Sequence, residues 1–377
     1  MTRLFIAIIF LTIYSIPCFA ADNGVALSIP FAPVPVSIFG NKTVLAYEVN
    51  IQNNTEQAIQ PLAIDINNDD DNTLIEYTSL DLIHNVEYSN GSAKIEPNQK
   101  ATLFVWLALP SNQAIPKKLS HQMAYTMDGN ADDVRITAMD AVTPIQQAKA
   151  ASLSPPLSGG PWLASGISNY SEHRRARINY QDAGPFLPER YAIDWTKFDN
   201  TNSSASDHRG DGSRNSDYYA YGQFVFASSD GVVVAVRNSL ADNPNPPKRP
   251  QLANVLDRPG NYVVIKTKEN NYLVYCHLQS TTLVIKGQQV VQGQRIGYVG
   301  SSGDAGIPHL HFDVVNADNQ TSPFLAEGLP YTYKNFTLLA LTQNNSQYYL
   351  NPYAPIIASP VKLENQLPLD SMFVWFE

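Results

Sequence analysis

No apolar repeat of helical period is sustained between residue 22 and about residue 148 of this 377-residue chain. Short stretches alternate apolar and polar residues instead, and residues that favour turns close each one. Val44 to Ile51 is one such stretch. Ala101 to Leu109 is another, ended by Pro110, which cannot donate to a sheet ladder. Asn53-Asn54, Asn90-Gly91 and Pro97-Asn98 mark turns. This pattern argues against a helix bundle. It predicts a mostly β protein that begins with an antiparallel β-sandwich, immunoglobulin-like in general type, over residues 21–148. The 20 Tyr, 26 Pro and 20 Gly of the chain agree with strands and turns.

The length implies more than one domain. Residues 149–160 are rich in Ser, Pro and Gly and read as a linker. A second β-rich domain is expected over 161–335. The segment 336–377 carries Tyr348, Tyr349, Tyr353, Phe373, Trp375 and Phe376, a composition suited to packing on a domain. At the other end, Arg3 precedes an apolar run from Leu4 to Ile16, and Ala20-Ala21 follows. A positive start, a short apolar stretch and small residues make a signal peptide over residues 1–20. A run of about 13 residues is short for a bilayer span, and no later stretch reaches ~18. The chain is therefore expected to be exported, to the periplasm or the extracellular envelope.

Apolar residues make up 44% of the chain, enough for a sizeable core, and only 16% are charged, which argues against long disordered tails. The net charge of −9, with no basic block, excludes nucleic acid as a natural partner. Two cysteines, of which removal of residues 1–20 would leave only Cys276, exclude a disulfide scaffold and a cysteine-rich zinc finger. Any metal site must then be built from the seven His and from carboxylates. The run Asp65 to Asp71, with Glu76 beyond it, has the alternating oxygens of a calcium loop, but Asp70 stands where the sharp turn needs Gly. A solvated hairpin loop fits better. His84 and His121 have no chemical groups arranged around them.

The informative residues lie later. In Pro308-His309-Leu310-His311-Phe312-Asp313, alternation along a strand sends both imidazoles to one side. Tyr275-Cys276-His277-Leu278 ends another strand and adds a third imidazole. Cys276, alternating with His277, should face away from it as a buried thiol. Arg190-Tyr191-Ala192-Ile193-Asp194-Trp195 places a carboxylate in an apolar strand, where it needs a partner or a metal.

Together with the glycine-punctuated stretches around Gly231, Gly287 and Gly297, these segments resemble the lysostaphin-like (LytM-type) zinc metallopeptidases that cut peptidoglycan peptides. The resemblance covers residues 185–330. It implies a LytM-type antiparallel β-sheet peptidase domain within 161–335, with Zn²⁺ as cofactor and a peptidoglycan peptide as partner. It implies that Asp194 and His311 are metal ligands, and that His277 and His309 act on the water and the oxyanion. One position departs from the family: Arg190 stands where the first histidine ligand is expected, and a guanidinium has no lone pair to give. A hairpin turning between residues 183 and 184 would set His173 directly opposite Asp194, close enough to share one ion. The segment also resembles a subgroup with an upstream His-Arg-Arg before an Arg-Tyr-Ala-Ile-Asp strand, so His173 is the expected replacement ligand. His208 is the reserve.

The expected function is an exported zinc metalloendopeptidase that hydrolyses cell-wall cross-link peptides with metal-activated water. Loops 200–220 and 240–258 are expected to wall the binding groove. Two alternatives stand beside this. One is a metal-free degenerate homologue that binds peptidoglycan or activates a wall amidase. The other is a secreted protease acting on host or prey proteins. The first domain could hold the enzyme to a wall or envelope protein.

Overall fold

Strand pairing dominates the computed structural model, which describes residues 21–22, 24–89, 91–129, 136–139, 141–180, 183–199, 206–317, 322–341 and 359–377. The expected signal peptide lies outside these residues. The chain divides into two units. The first comprises residues up to Pro33, Tyr47–Val105 and Pro116–Gln146, and the second Val34–Ala46, Trp106–Ile115 and Gln147–Glu377.

In the first unit, Ile59–Asn67 pairs antiparallel with Thr73–Thr78 on one side and with Lys118–Met127 on the other. Val25–Ser28 pairs with residues 50–53, and Val86–Tyr88 with residues 101–103. Ile59, Ile64, Ile66, Leu103, Met123 and Tyr125 are fully buried, as alternation along these strands requires. The acidic run is the turn of the 59–78 hairpin. Asn68 Oδ1 accepts from the Asp70 and Asn72 amides, and the Asp69 carboxylate accepts from the Lys117 and Lys118 amides. These oxygens serve the backbone, as a hairpin loop demands. His121 is wholly buried: its Nδ1–H donates to the Ala141 carbonyl and its Nε2 accepts from the Tyr47 hydroxyl. His84 lies exposed on the short helix Ser79–Asn85.

The second unit is organised by an eleven-stranded sheet among the described residues. Its centre runs Met372–Phe376, Gly159–Ser165, Ile193–Lys197, Leu310–Val315, Tyr272–Leu278, Asn261–Lys266 and Gly231–Arg237. The late strands Tyr331–Leu341, Val361–Gln366 and Met372–Phe376 belong to the same sheet. One face carries Trp162, Trp195, Tyr275, Leu310, Phe312 and Tyr333 in a continuous apolar core. Each such side chain contributes about 1.5–3 kcal/mol of burial, so Trp195→Ala would cost about 3–5 kcal/mol. The other face is built differently. Ser165, Asp194, His311 and Cys276 lie side by side across four adjacent strands. Cross-strand partners point to the same side of a sheet, so this row is polar at its middle. The mostly apolar packing behind and beside it fixes where those polar groups sit.

Candidate active site

Asp194 is the centre of the polar row. Its strand is flanked on both edges, by Ser165 and by His311, and no room is left in the sheet for a third neighbour. His173 therefore does not face Asp194 across a hairpin. The hairpin exists, but it pairs Ile178 with Phe186 and Tyr180 with Ala183, so it turns earlier than expected and ends well before Asp194. His173 arrives instead from a single helical turn, Glu172–Arg175, capped by the Ser171 side chain accepting from the Arg174 amide. Its Nδ1–H donates to the Ala192 carbonyl at 3.3 Å, and its Nε2 lies 3.2 Å from Asp194 Oδ2. Gly166, at φ +91°, passes so close to the ring that a Cβ there would lie 2.2 Å from His173 Nδ1. The proximity expected of His173 is present; the route to it is different.

His311 Nδ1 sits 2.9 Å from Asp194 Oδ1. Donor atoms of His173, Asp194 and His311 all lie within 4.8 Å of one another, a group that could hold a metal ion. Two imidazole nitrogens and one carboxylate suit zinc, and three protein ligands leave a position open for chemistry. The anchoring of His173 through its other ring nitrogen is the usual support for a metal-binding imidazole. The residues present fit the ion.

The two remaining imidazoles close the site. His309 Nε2 is 3.5 Å from Asp194 Oδ1, and the His277 and His309 rings are 4.7 Å apart between centroids. A carbonyl oxygen can only accept, so the proton positions are fixed. His277 Nδ1–H donates to Ser302 O at 2.9 Å, and His309 Nδ1–H donates to Ile307 O at 2.8 Å. In the neutral tautomer of each, Nε2 is left bare. His277 reaches this face because its backbone adopts φ +59°, which breaks the alternation of its strand. The same irregularity corrects the expectation for Cys276. Its partner across the strand is His311, so the thiol lies on the face that bears the imidazoles. It is fully buried, and burial pushes its pKa well up, with the charge of Asp313 adding to the effect. It is no nucleophile.

The charges order themselves around Asp194 when no ion is bound. Burial alone would lower the His173 pKa, but the Asp194 carboxylate overrides it and holds the imidazolium to about 10. Burial likewise opposes and Asp194 raises His309. His277 is pushed well below the ordinary histidine value, by burial first and then by the neighbouring His309 and His311. Asp194 itself, despite its burial, is held well below the usual carboxylate range by His173 and His309. Environments that separate the pKa values of adjacent groups are how one site keeps an acid beside a base.

Arg190 takes no part. It is 2% exposed, and its guanidinium donates to Glu327 Oε2 at 2.7 Å and to Gly328 O at 2.9 Å. His208 is held by Asp207 and packs on Tyr218, outside the three-residue group. A groove of about 600 Å³, lined by Leu163, Tyr170, Phe198, Asp207, Arg249 and Ile307 among others, opens onto His173 and Asp194. It continues as a small pocket of about 40 Å³ at the imidazoles, which Glu189, Arg249, Arg258 and Asp304 also line. Loop 200–220 thus contributes Asp207 and the 240–258 loop contributes Arg249 and Arg258; residues 200–205 lie outside the described residues. Sequence reasoning missed Glu189, which is 2% exposed. The signal for it was available: a carboxylate inside the apolar stretch Leu187-Pro188-Glu189-Arg190-Tyr191, the same sign that marked Asp194.

Comparison with known proteins bears on part of this site. Residues 216–323 match the model of Peptidase family M23. That segment includes His277, His309 and His311 but not His173 or Asp194. Over 91 residues the chain is 40% identical to the peptidoglycan DD-endopeptidase ShyA of Vibrio cholerae, covering 24% of this chain and 17% of that protein. It is 36% identical over 91 residues, with the same coverage, to ShyB of the same organism. The chain thus spans about a sixth of the length of these relatives. Among solved structures, the M23 metalloprotease pseudoalterin superimposes with a TM-score of 0.29 at 15% identity, covering 59% of this chain and 99% of that one.

Proposed function

We propose that the chain is an exported zinc metalloendopeptidase that hydrolyses cross-link peptides of peptidoglycan. One observation carries the reading: three donors of the right chemistry converge on one point, and two more imidazoles stand over the same pocket. The similarity to enzymes named peptidoglycan DD-endopeptidases supplies the substrate class. In this reading His173, Asp194 and His311 are the metal ligands, and His173 fills the place that Arg190 vacates, as in the subgroup with an upstream His-Arg-Arg. A bound divalent ion would supply Lewis-acid polarisation of the scissile carbonyl and acidify a water.

The protein's own groups do the rest. His277, kept neutral with a bare Nε2, accepts the proton of the attacking water. His309, as the imidazolium that Asp194 favours, presents Nε2–H to the oxygen on which negative charge develops, and its Nδ1–H bond to Ile307 O fixes the ring for that task. The groove beside His173 receives the peptide. In this reading the first β-rich unit holds the enzyme to a wall or envelope partner.

The test is digestion of purified peptidoglycan with mass analysis of the fragments, with and without chelator. Peptide-bond cleavage that stops on chelation and in His309→Ala and His311→Ala supports the proposal. Full activity in either variant would sink it. Zinc-free protein that binds peptidoglycan without cutting it would establish the metal-free homologue instead. Cleavage of unrelated proteins but not of peptidoglycan would establish a general secreted protease.

A further inference from the structure

We propose that Arg258 is the specificity residue of this pocket, and that it reads a free carboxylate beside the scissile bond. The proposal rests on the peptidase reading above and names the kind of bond that would be cut. Arg258 lines the same small pocket as His277, His309 and His311, with its side chain 26% exposed. Two carboxylates hold it loosely. Its Nη2 lies 3.4 Å from Glu189 Oε1 and its Nε 3.5 Å from Asp304 Oδ2. Both distances exceed those of good charge-assisted hydrogen bonds, so the five N–H donors of the guanidinium remain largely available.

The guanidinium is nevertheless fixed in place. Glu189 is 2% exposed, its Oε2 has no partner among the described residues, and Arg258 is its ion-pair partner. If Arg258 swung away, a buried carboxylate would be left unpaired, which is strongly unfavourable. The backbone adds to this. The Arg258 carbonyl accepts from the Asp304 amide and the Pro259 carbonyl from the His277 amide, each at 3.0 Å. Beside them Gly260 (φ +64°) and Gly303 (φ +70°) touch backbone to backbone, and a Cβ on Gly303 would lie 2.3 Å from Gly260 N. Arg258, Asp304 and the Ser302 carbonyl that orients His277 therefore form one rigid block. A charge held that way has no reorganisation to undergo when a ligand arrives.

The chemistry of the ligand follows. A planar fork of donors matches a carboxylate, and Arg249, whose ion pair is with the largely exposed Glu172, adds a second guanidinium to the same pocket. The chain carries 34 acidic against 25 basic residues, so an anionic peptide gains nothing from the protein as a whole. Glu189, Asp194 and Asp304 line the same pocket, so Arg258 acts through its fork of donors at close range and not through a positive local charge. The pocket is only about 40 Å³ and holds the imidazoles as well as Arg258, so the anion it accepts must lie close to the scissile bond. This commits the enzyme to bonds with a free carboxylate beside them, and excludes plain glycyl-glycine bridges as good substrates.

The experiment compares two synthetic cross-linked peptides, identical except that this carboxylate is free in one and a primary amide in the other. The wild-type protein should cut the free acid with kcat/KM about 10- to 100-fold higher, mainly through KM. In Arg258→Gln the two peptides should be cut at rates within about threefold of each other, the free acid having lost the advantage. Arg258→Gln leaves Glu189 unpaired, so the double variant Glu189→Gln/Arg258→Gln, which removes both charges, is measured beside it and should show the same loss of discrimination. Wild-type protein that cuts both peptides equally overturns the proposal. So does discrimination that survives in the variants, or equal slowing of both peptides, which would make Arg258 an oxyanion donor. If the wild-type protein cuts neither peptide and no peptidoglycan, the peptidase reading itself falls, and this proposal with it.

Discussion

Replacing Asp194 by asparagine should turn His173 from a persistent imidazolium into a neutral ring. In the metal-free protein, burial favours the neutral ring, and the Asp194 carboxylate 3.2 Å away reverses that and holds the pKa to about 10. The Asp194→Asn variant would keep the shape and lose the charge. Burial then prevails, and the pKa should fall to about 6.5 or below, a change equivalent to about 5 kcal/mol of coupling. The assay is an NMR titration of the imidazole signals from about pH 5 to pH 11 in chelator-treated protein. The sign has two consequences. The folded pKa is raised, so the pair stabilises the metal-free fold fully below about pH 6.5, and this is lost as pH rises through about 10. An ion must also displace that proton, so apparent metal affinity should rise about tenfold per pH unit between about pH 7 and 10 in the wild type. Asp194→Asn should bind metal more weakly and with little dependence on pH. A wild-type His173 that titrates near 6.5, or one unchanged by the substitution, would refute the reasoning.

Three further outcomes are expected. Gly166→Ala puts a methyl against the His173 ring at a positive φ, so metal affinity measured by chelator competition should fall about 10-fold or more; unchanged affinity would show the ring position is not set there. Burial holds the His121 pKa at about 4, depressed from its unfolded value, so its contribution to stability is present above about pH 6.5 and lost as pH falls towards 4. Urea unfolding should show up to about 3 kcal/mol of loss over that window, and His121→Phe should remove this component. The Cys276 thiol should resist a disulfide reagent at about pH 8 in the native protein and react fully once unfolded; rapid reaction in the native state would contradict its burial.

How much of the site could be read from the sequence depended on whether the physics was local. His309 and His311 were legible because strand alternation is a local rule, and Asp194 because a carboxylate among apolar residues announces a need for a partner. His277 and Cys276 show the limit of alternation. One left-handed residue brings a side chain to the face the pattern denies it, and nothing in Tyr275-Cys276-His277-Leu278 signals φ +59°. The hairpin that would set His173 opposite Asp194 does not reach it, because Asp194 already has strands on both edges, and only the assembled sheet reveals that the approach must come from above it. Arg190 was legible as a loss but not as a gain, since its partner Glu327 comes from a distant turn.

The fold followed the same division. The mostly β character and the turn at Asp69 came from periodicity and turn chemistry within a few residues. The place of Met372–Phe376 between Tyr331–Leu341 and Gly159–Ser165 did not, because strand order is decided by which edges remain free once every other strand has paired. The groups that would set specificity are the least legible. Arg258 and Asp304 lie far from Glu189 in the chain, and each of the two alone reads as an ordinary surface charge. They become a clamp only because Gly260 and Gly303 let two loops touch, so the chemistry of the ligands is written in local motifs and the choice of substrate in long-range packing.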